Sequence, residues 1–524
     1  MASAAVVNMS ASDGLGTSSF NTGVHWADGQ APSAANDYNT AGFFMRTPGN
    51  SVTNYVFAGA SLTLGPANTV NGINGSILEK FSSGAGSVRF LTVNNLTNTS
   101  GAMIRSGGTA GAIIHLMGNQ YTIAGNSIIQ ADQCIWSIDM PIVGGDNIIL
   151  TNFANNANDH VAYTATNSAF TGSLYLTGAG NSAWSLEMDS PYSLPGNPST
   201  FNPGQITFLG GGQLRDVVGC SFTNSNGGFT LAANGTINTT VTTILGEPIT
   251  DMTNGVPSIS GLTSSGTGTL ILSNANNTYS GGTTISAGIL QLGVDNAIPG
   301  NAVGGDVTVN GTLDMNGHSD TINGLNGAGA VDNTTGGSSI LTIGGNGDDG
   351  SFSGNIQNTL GMVSIAKIGA GTETLTGGLF QSGPTVVAGG TLNISSAGGV
   401  PASPGDLVAS SGGALNVDAS SGTTFATANL TVGANSTFGL ILNSTTVGIN
   451  VSGNLLLQDN ATNVFNYGSL TANPTAAGIN AGSISAPGSI IYIVVSGSGL
   501  QTGTFTLIKY SGTALGSIAN FQLV

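Results

Sequence analysis

Gly390-Thr391-Leu392-Asn393-Ile394 is followed, 23 residues later, by Gly413-Ala414-Leu415-Asn416-Val417. Each stretch reads glycine, a small residue, an aliphatic, any residue, an aliphatic. Leu392 and Ile394 point one way and Asn393 the other, which is the alternation of a half-buried strand. The leading glycine supplies a turn into that strand. The same reading fits Gly172-Ser173-Leu174-Tyr175-Leu176, Gly268-Thr269-Leu270-Ile271-Leu272, Gly288-Ile289-Leu290-Gln291-Leu292 and Gly311-Thr312-Leu313-Asp314-Met315. Gly235-Thr236-Ile237-Asn238-Thr239 is a looser copy. Gly288 to Gly311 is again 23 residues, Gly268 to Gly288 is 20, and Gly371 to Gly390 is 19.

A period of 20 to 23 residues is too short for a domain and fits one coil of a solenoid. One coil cannot bury enough apolar surface to offset the entropy of ordering it. Stability then belongs to the stack, through ladder hydrogen bonds and shared core between coils. The expected fold is all-β, a right-handed parallel β-helix, with a distinct N-terminal cap and a strand-rich C-terminal cap.

Composition agrees. Of 524 residues, 83 are Gly, and 16 Pro without a Gly-X-Y period exclude collagen. Charged residues are only 6% while 40% are hydrophobic, so the polar surface must be built from Ser, Thr, Asn and Gly. Stacked coils explain the low charge, because like charges a strand spacing apart repel and uncharged ladders do not. The net charge is −17, with seven dispersed basic residues, which argues against nucleic acid and against an anionic membrane surface as partners. No apolar run reaches the length of a membrane span, so no membrane insertion is expected. Ala2-Ser3-Ala4 reads either as the remnant of a cleavage site or as ordinary small residues after Met1. Cys134 and Cys220 read either as one disulfide of an exported protein or as two buried thiols.

Four sections are expected. Residues 1–60 concentrate aromatics (Trp26, Tyr38, Phe43, Phe44, Tyr55, Phe57) and read as an N-terminal cap or a contact module, with room for a few helices. Residues 61–250 read as irregular coils with loop excursions, marked by Pro191, Pro195, Pro198 and Pro203. Residues 251–480 are the regular repeats. Residues 481–524 carry denser apolar strands and read as a closing cap or assembly strands.

Residues 266–293, through Asn276-Asn277-Thr278-Tyr279-Ser280-Gly281-Gly282-Thr283-Thr284, closely resemble the autotransporter-associated β-strand repeat. Residues 367–394 resemble a decayed copy, with Leu379-Phe380-Gln381-Ser382-Gly383 in place of the Tyr-Ser-Gly-Gly segment. Residues 505–513 resemble the close of large exported repeat proteins of this kind. The resemblance implies a parallel β-helix, export, and surface display or release, and it implies no catalytic residue. Residues 481–524 supply no outer-membrane barrel, so self-transport by this chain is not expected.

Chemistry is sparse. Asp348-Asp349 is the only adjacent acidic pair, in the turn-like run Gly344-Gly345-Asn346-Gly347-Asp348-Asp349-Gly350, and reads as a solvated turn. The same run faintly resembles a calcium-binding nonapeptide without its tandem copies, so calcium is kept only as an alternative to no cofactor. Gly144-Gly145-Asp146 and Gly304-Gly305-Asp306 are weaker still. Asp314 is expected in an outward slot, equivalent to Asn393 and Asn416, as part of a ladder. His25, His115, His160 and His318 show no zinc spacing. The expectation is an extracellular or cell-surface structural protein, a rigid rod or self-assembling fibre subunit, and not an enzyme. Its partners would be further copies joined head to tail or cell-surface components. An adhesin binding glycan or host protein, and a polysaccharide-degrading enzyme, are the alternatives.

Overall fold

A computed structural model describes residues 4–48, 54–65, 76–80, 87–107, 112–132, 134–152, 160–165, 169–178, 185–190, 195–253, 256–257, 259–300, 304–395, 405–420, 424–442, 445 and 448–524. Pro191 of the proline cluster, and Ala2 and Ser3, lie outside them. Among the described residues every regular element is a strand, so the helices allowed for residues 1–60 are not found. Contacts divide the chain into two compact units, Met1–Leu270 and Ile271–Val524. Both are β-solenoids of parallel strands.

In the first unit a coil turns two corners and contributes three strands. Val88–Thr92, Asn95–Thr99 and Met103–Gly107 form one coil, and Ala112–Met117, Gln120–Ala124 and Ser127–Ala131 form the next. Each strand pairs in parallel with its counterpart one coil on, so that Leu91 lies beside Leu116, Leu96 beside Tyr121 and Met103 beside Ile128. Period-two alternation then stacks inward residues into columns. One column runs Tyr55, Leu91, Leu116, Ile138, Tyr163 and Met188, all buried. The early aromatics pack inside the first coils rather than outside them. Trp26 meets Tyr38 edge-on with ring centroids 4.8 Å apart, and Phe57 lies 5.4 Å from both Tyr38 and Phe20. Residues 1–60 also supply the first strand, Ala5–Asn8, which pairs in parallel with Asn36–Asn39.

The second unit shows the repeat most plainly. Thr391 lies opposite Ala414, Leu392 opposite Leu415, Asn393 opposite Asn416 and Ile394 opposite Val417, the pairing set by the equal spacing of the two glycine-led strands. Leu290 likewise lies beside Leu313, and Thr372 beside Thr391. The expected period is too narrow. Val307 pairs with Leu325 across a shorter coil than any the motif spacing gives, and Ile491 pairs with Phe521 across a much longer one. Corners absorb the difference, because register is fixed only on the faces. The third face, Ile289–Leu292, Thr312–Asp314, Ala330–Asp332 and Asn355–Ile356, ends at a single bridge from Ile356 to Leu379. Beyond it the described coils carry two faces, and their strands lengthen to the nine residues of Ile449–Leu457. Residues 481–524 continue these faces as ordinary coils through Ile491–Ser496, Ile508–Tyr510 and Phe521–Leu523.

Glycine lets the corners of this unit approach. A Cβ on Gly311 would lie 2.5 Å from the Gly288 carbonyl oxygen, one on Gly329 2.0 Å from that of Gly311, one on Gly354 2.0 Å from that of Gly329, and one on Gly377 1.8 Å from that of Gly354. Successive coils are thus joined along a column where no side chain fits. Gly390 adds a second constraint, a φ of +59°, which any other residue would adopt under strain.

Candidate functional site

The repeat residues divide by side. Leu174, Leu176, Leu270, Leu272, Leu290, Leu292, Leu313, Met315, Leu392, Ile394, Leu415 and Val417 are all buried core. Of the glycines ahead of them, Gly172, Gly268, Gly311, Gly390 and Gly413 stand at corners, close against carbonyls of the preceding coil. Gly288 turns its corner with a positive φ of 63°. Outward slots form the expected ladder where Asn416 Nδ2 donates to Asn393 Oδ1 at 2.9 Å and Asn393 Nδ2 to Thr374 Oγ1 at 3.4 Å, and again where Asn480 Nδ2 donates to Asn450 Oδ1 at 3.4 Å.

Asp314 holds the expected outward slot but is covered there, only 2% exposed. Gln291 Nε2, the Asn316 and Thr334 amides and Thr334 Oγ1 all donate to its carboxylate, at 2.8, 3.0, 3.1 and 2.6 Å. One coil on, Asp332 stands in register with it and receives the same four kinds of donor from Gln357, Asn333 and Thr359. Burial raises the Asp332 carboxyl, but those hydrogen bonds outweigh it and hold the group below its ordinary range.

The Asp348-Asp349 run is a turn tied to itself and to the next coil. Asp348 bonds Asn346 through both its amide and its carboxylate, and Asp349 Oδ1 accepts from the Thr372 amide at 2.6 Å. Among the described residues no three His, Cys, Asp or Glu side chains gather as a metal-ligand group. Behind this turn Lys367 and Glu373 point into the core, both fully buried. Burial pushes the Glu373 carboxyl up to about 8 and the Lys367 ammonium down.

Cys134 and Cys220 are both buried thiols, and no disulfide joins them. Cys134 begins the strand Cys134–Ile138, and Cys220 follows Gln213–Asp216 three coils further along the same face. Three coil spacings, about 14 Å, exceed the span of a disulfide. Burial, with Asp216 beside it, pushes the Cys220 thiol up.

The histidines look scattered along the chain, yet each meets a carboxylate in space. His25 Nδ1 lies 2.8 Å from Asp13, His115 Nδ1 2.6 Å from Asp139, His160 Nε2 3.5 Å from Glu187 and His318 Nδ1 3.1 Å from Asp295. Three of those acids also anchor backbone or hydroxyl donors, as Asp13 does for Ser19 and Arg46.

Among the described residues, a group of ionisable side chains gathers on one face of the first unit. Glu187, in Leu186–Met188, stands directly beside Arg215, in Gln213–Asp216. Arg215 Nη1 reaches Glu187 Oε2 at 2.5 Å, while His160 reaches the other oxygen. Burial raises Glu187, and the His160 and Arg215 contacts outweigh it, so it stays ionised below its usual range. Asp189, two residues on, is pushed up to about 6 by burial and then by the Glu187 charge. Two coils earlier the same face carries the His115–Asp139 pair with Phe90 stacked on the imidazole at 5.0 Å. Nothing in the sequence spacing marks this group, because its members sit on coils of unequal length. The one visible signal is Glu187-x-Asp189, two acids on one side of a strand in a chain with few charges.

Comparison with known proteins adds three findings. The passenger-associated transport repeat matches residues 262–292 and 365–394. A curated relative, "Adhesin BmaC autotransporter" of Brucella suis biovar 1 (strain 1330), is 35% identical over 133 residues, which cover 25% of this chain and 4% of that protein. No solved structure matches.

Proposed function

We propose that this passenger-like repeat protein is an exported bacterial surface protein whose solenoid units act as architecture, presenting adhesive faces rather than performing catalysis. The observation that carries the reading is the matched transport repeat. Residues 262–292 and 365–394 supply strands and glycine corners of the solenoids, so the motif tied to passenger transport is also the motif that builds the fold. The ionisable groups support the same reading. They are tied off in pairs and hydrogen-bonded hubs, with donors already spent on Asp13, Asp314, Asp332 and Glu187, as suits structure more than turnover.

The adhesive part of the reading is supported by the name of the relative and by the gathering of His115, Asp139, His160, Glu187, Asp189 and Arg215 on one face. Its partners would be cell-surface components, or further copies joined head to tail. Antibody raised against the purified chain should label intact source cells and the protein should be released by brief protease treatment of those cells. Label that appears only after permeabilisation would refute surface display. Sedimentation of the purified chain over a concentration series tests self-addition, which predicts growth beyond the monomer.

A further inference from the structure

The first unit has a second outward face whose character is different. The strands Ser127–Ala131, Ile148–Asn152, Leu174–Thr177 and Ile206–Phe208 lie side by side in parallel. Their inward residues Ile129, Leu150, Leu176 and Phe208 are core. The outward residues in register are Met103, Ile128, Ile149 and Tyr175, a row of large side chains that gives way to Thr207 and Thr230 on the following coils. Asn126 and Asn147 stand one coil apart at the start of these strands, held there by the Ser127 amide donating to the Asn147 carbonyl at 2.9 Å. Leu209 closes the far side, its amide bonded to the Leu176 carbonyl at 2.8 Å. Together Asn126, Asn147, Ile149, Tyr175 and Leu209 line an open groove of about 340 Å³.

We infer that this groove binds a neutral saccharide chain. The inference rests on the adhesive reading above and names its ligand. Among the described residues that line the groove there is no carboxylate, ammonium, guanidinium or imidazole, so it carries no formal charge with which to select an ion or a phosphate. The chain's net charge of −17 disfavours acidic sugars as well. What the groove does offer is two carboxamides, each a donor and an acceptor, spaced by one coil at about 4.8 Å. Beside them stand a phenol ring with an apolar face and a hydroxyl, and two aliphatic side chains. A ligand matching that set has C–H faces and dense hydroxyls on the same ring. The size is that of a small-ligand subsite, and its openness along the stack suits a segment of a longer chain. A protein partner would need roughly 800 Å² of matched surface, far more than these five residues give.

The test is binding of the full chain to immobilised neutral hexasaccharides (gluco-, manno- and N-acetylglucosamine series) beside sialylated and sulfated ones, followed by calorimetric titration of the best. The expected result is binding to a neutral series, weakened about tenfold or more in Tyr175→Ala, largely kept in Tyr175→Phe, and reduced in Asn147→Ala. Gly336→Ala, in the second unit, where nothing lies within 4 Å of the added carbon, should leave it unchanged, and thermal melts show which variants remain folded. Binding lost in Arg215→Met, on the other face, and kept in Tyr175→Ala would overturn the groove while leaving adhesion standing. Preference for the acidic glycans, or adhesion of the chain to cells stripped of glycans with no saccharide bound, would overturn the ligand class.

Discussion

Replacing Gly354 by alanine should unseat a corner of the second unit. The added Cβ would lie 2.0 Å from the Gly329 carbonyl oxygen and 2.5 Å from Phe352 Cζ. The Phe352 ring can turn aside, but the carbonyl belongs to the backbone of the preceding coil. Ordinary carbon–oxygen contact needs about 3.4 Å, so the two coils must part by about 1.4 Å at this corner. The bonds that hold them there are Ser353 N to Gly327 O at 2.8 Å and Asn355 N to Gly329 O at 3.0 Å. Parting by that amount takes both past about 4 Å, where neither survives. On the other side Thr376 N to Phe352 O and Ile356 N to Gly378 O, both 2.9 Å, are pulled by the same shift. Two to four bonds at ~1 kcal/mol net each, with added cost for groups left buried and unpaired, give a loss of about 3–6 kcal/mol. Gly336→Ala is the control, because nothing lies within 4 Å of the added carbon. There the change should stay within ~0.5 kcal/mol or favour folding slightly, through the unfolded chain. Urea denaturation followed by circular dichroism measures both, and amide exchange at Asn355 and Thr376 reports whether loss is local. A midpoint for Gly354→Ala equal to that of Gly336→Ala would refute the argument that close approach of the coils requires the glycine column.

Stability should also fall as pH rises through neutrality. Burial pushes Glu247 and Asp320 up to about 7 and Glu373 up to about 8. The folded chain therefore holds protons that the unfolded chain has released, and the stability they supply is full below about pH 4 and lost as pH passes 7 to 8. Lys367, pushed down by the same burial, pulls the other way at the alkaline end. Melting temperature should drop between about pH 5 and pH 8.5, and Glu373→Gln should flatten that drop; an unchanged slope in the variant would remove Glu373 from the account. Leu415→Ala, at a fully buried site stacked between Leu392 and Phe438, should cost about 2–5 kcal/mol in urea denaturation, whereas Asn416→Ala should cost ~1 kcal/mol, and equal losses would mean the core and ladder sides are misassigned. Both thiols should resist a water-soluble disulfide reagent in the folded chain and react in full after denaturation; fast labelling of the native protein would contradict their burial.

The faces were legible in the sequence because two simple rules write them. Alternation sets which residues turn inward, and equal spacing of glycine-led strands sets register, which is why Asn393 meets Asn416. What lies at the corners was not legible. The short coil from Val307 to Leu325 and the long one from Ile491 to Phe521 pair equally well on their faces, so residues that touch from one coil to the next have no fixed separation in the chain. The four histidine–carboxylate pairs were hidden for that reason, and so was the Glu187–Arg215 pair. The burial of Asp314 was hidden differently. Its slot does point away from the core, but Gln291 and Thr334 close over it, and cover from neighbouring coils leaves no periodic trace. The groove had a faint signal in Gly172-Ser173-Leu174-Tyr175-Leu176, where an aromatic fills the outward slot that Asn or Asp fills elsewhere.

The rarity of charge follows from the same geometry, and the exceptions show its terms. Two like charges one coil apart, at about 4.8 Å, repel by roughly 1 kcal/mol even in water and by several times that near a protein surface. A row of lysines or glutamates along a face would multiply that cost with every coil, while a row of asparagines gains a hydrogen bond at each step. Asp314 and Asp332 break the rule, carboxylate beside carboxylate in register. They are tolerated because each draws on a glutamine, a threonine hydroxyl and two backbone amides supplied largely by the adjacent coil. Those uncharged donors stabilise the stacked carboxylates in place of lysine or arginine, and they occupy the oxygens of both acids. A solenoid that spends its few charges this way is left chiefly with uncharged side chains on its outward faces, as in the outward amides and phenol beside Ile149.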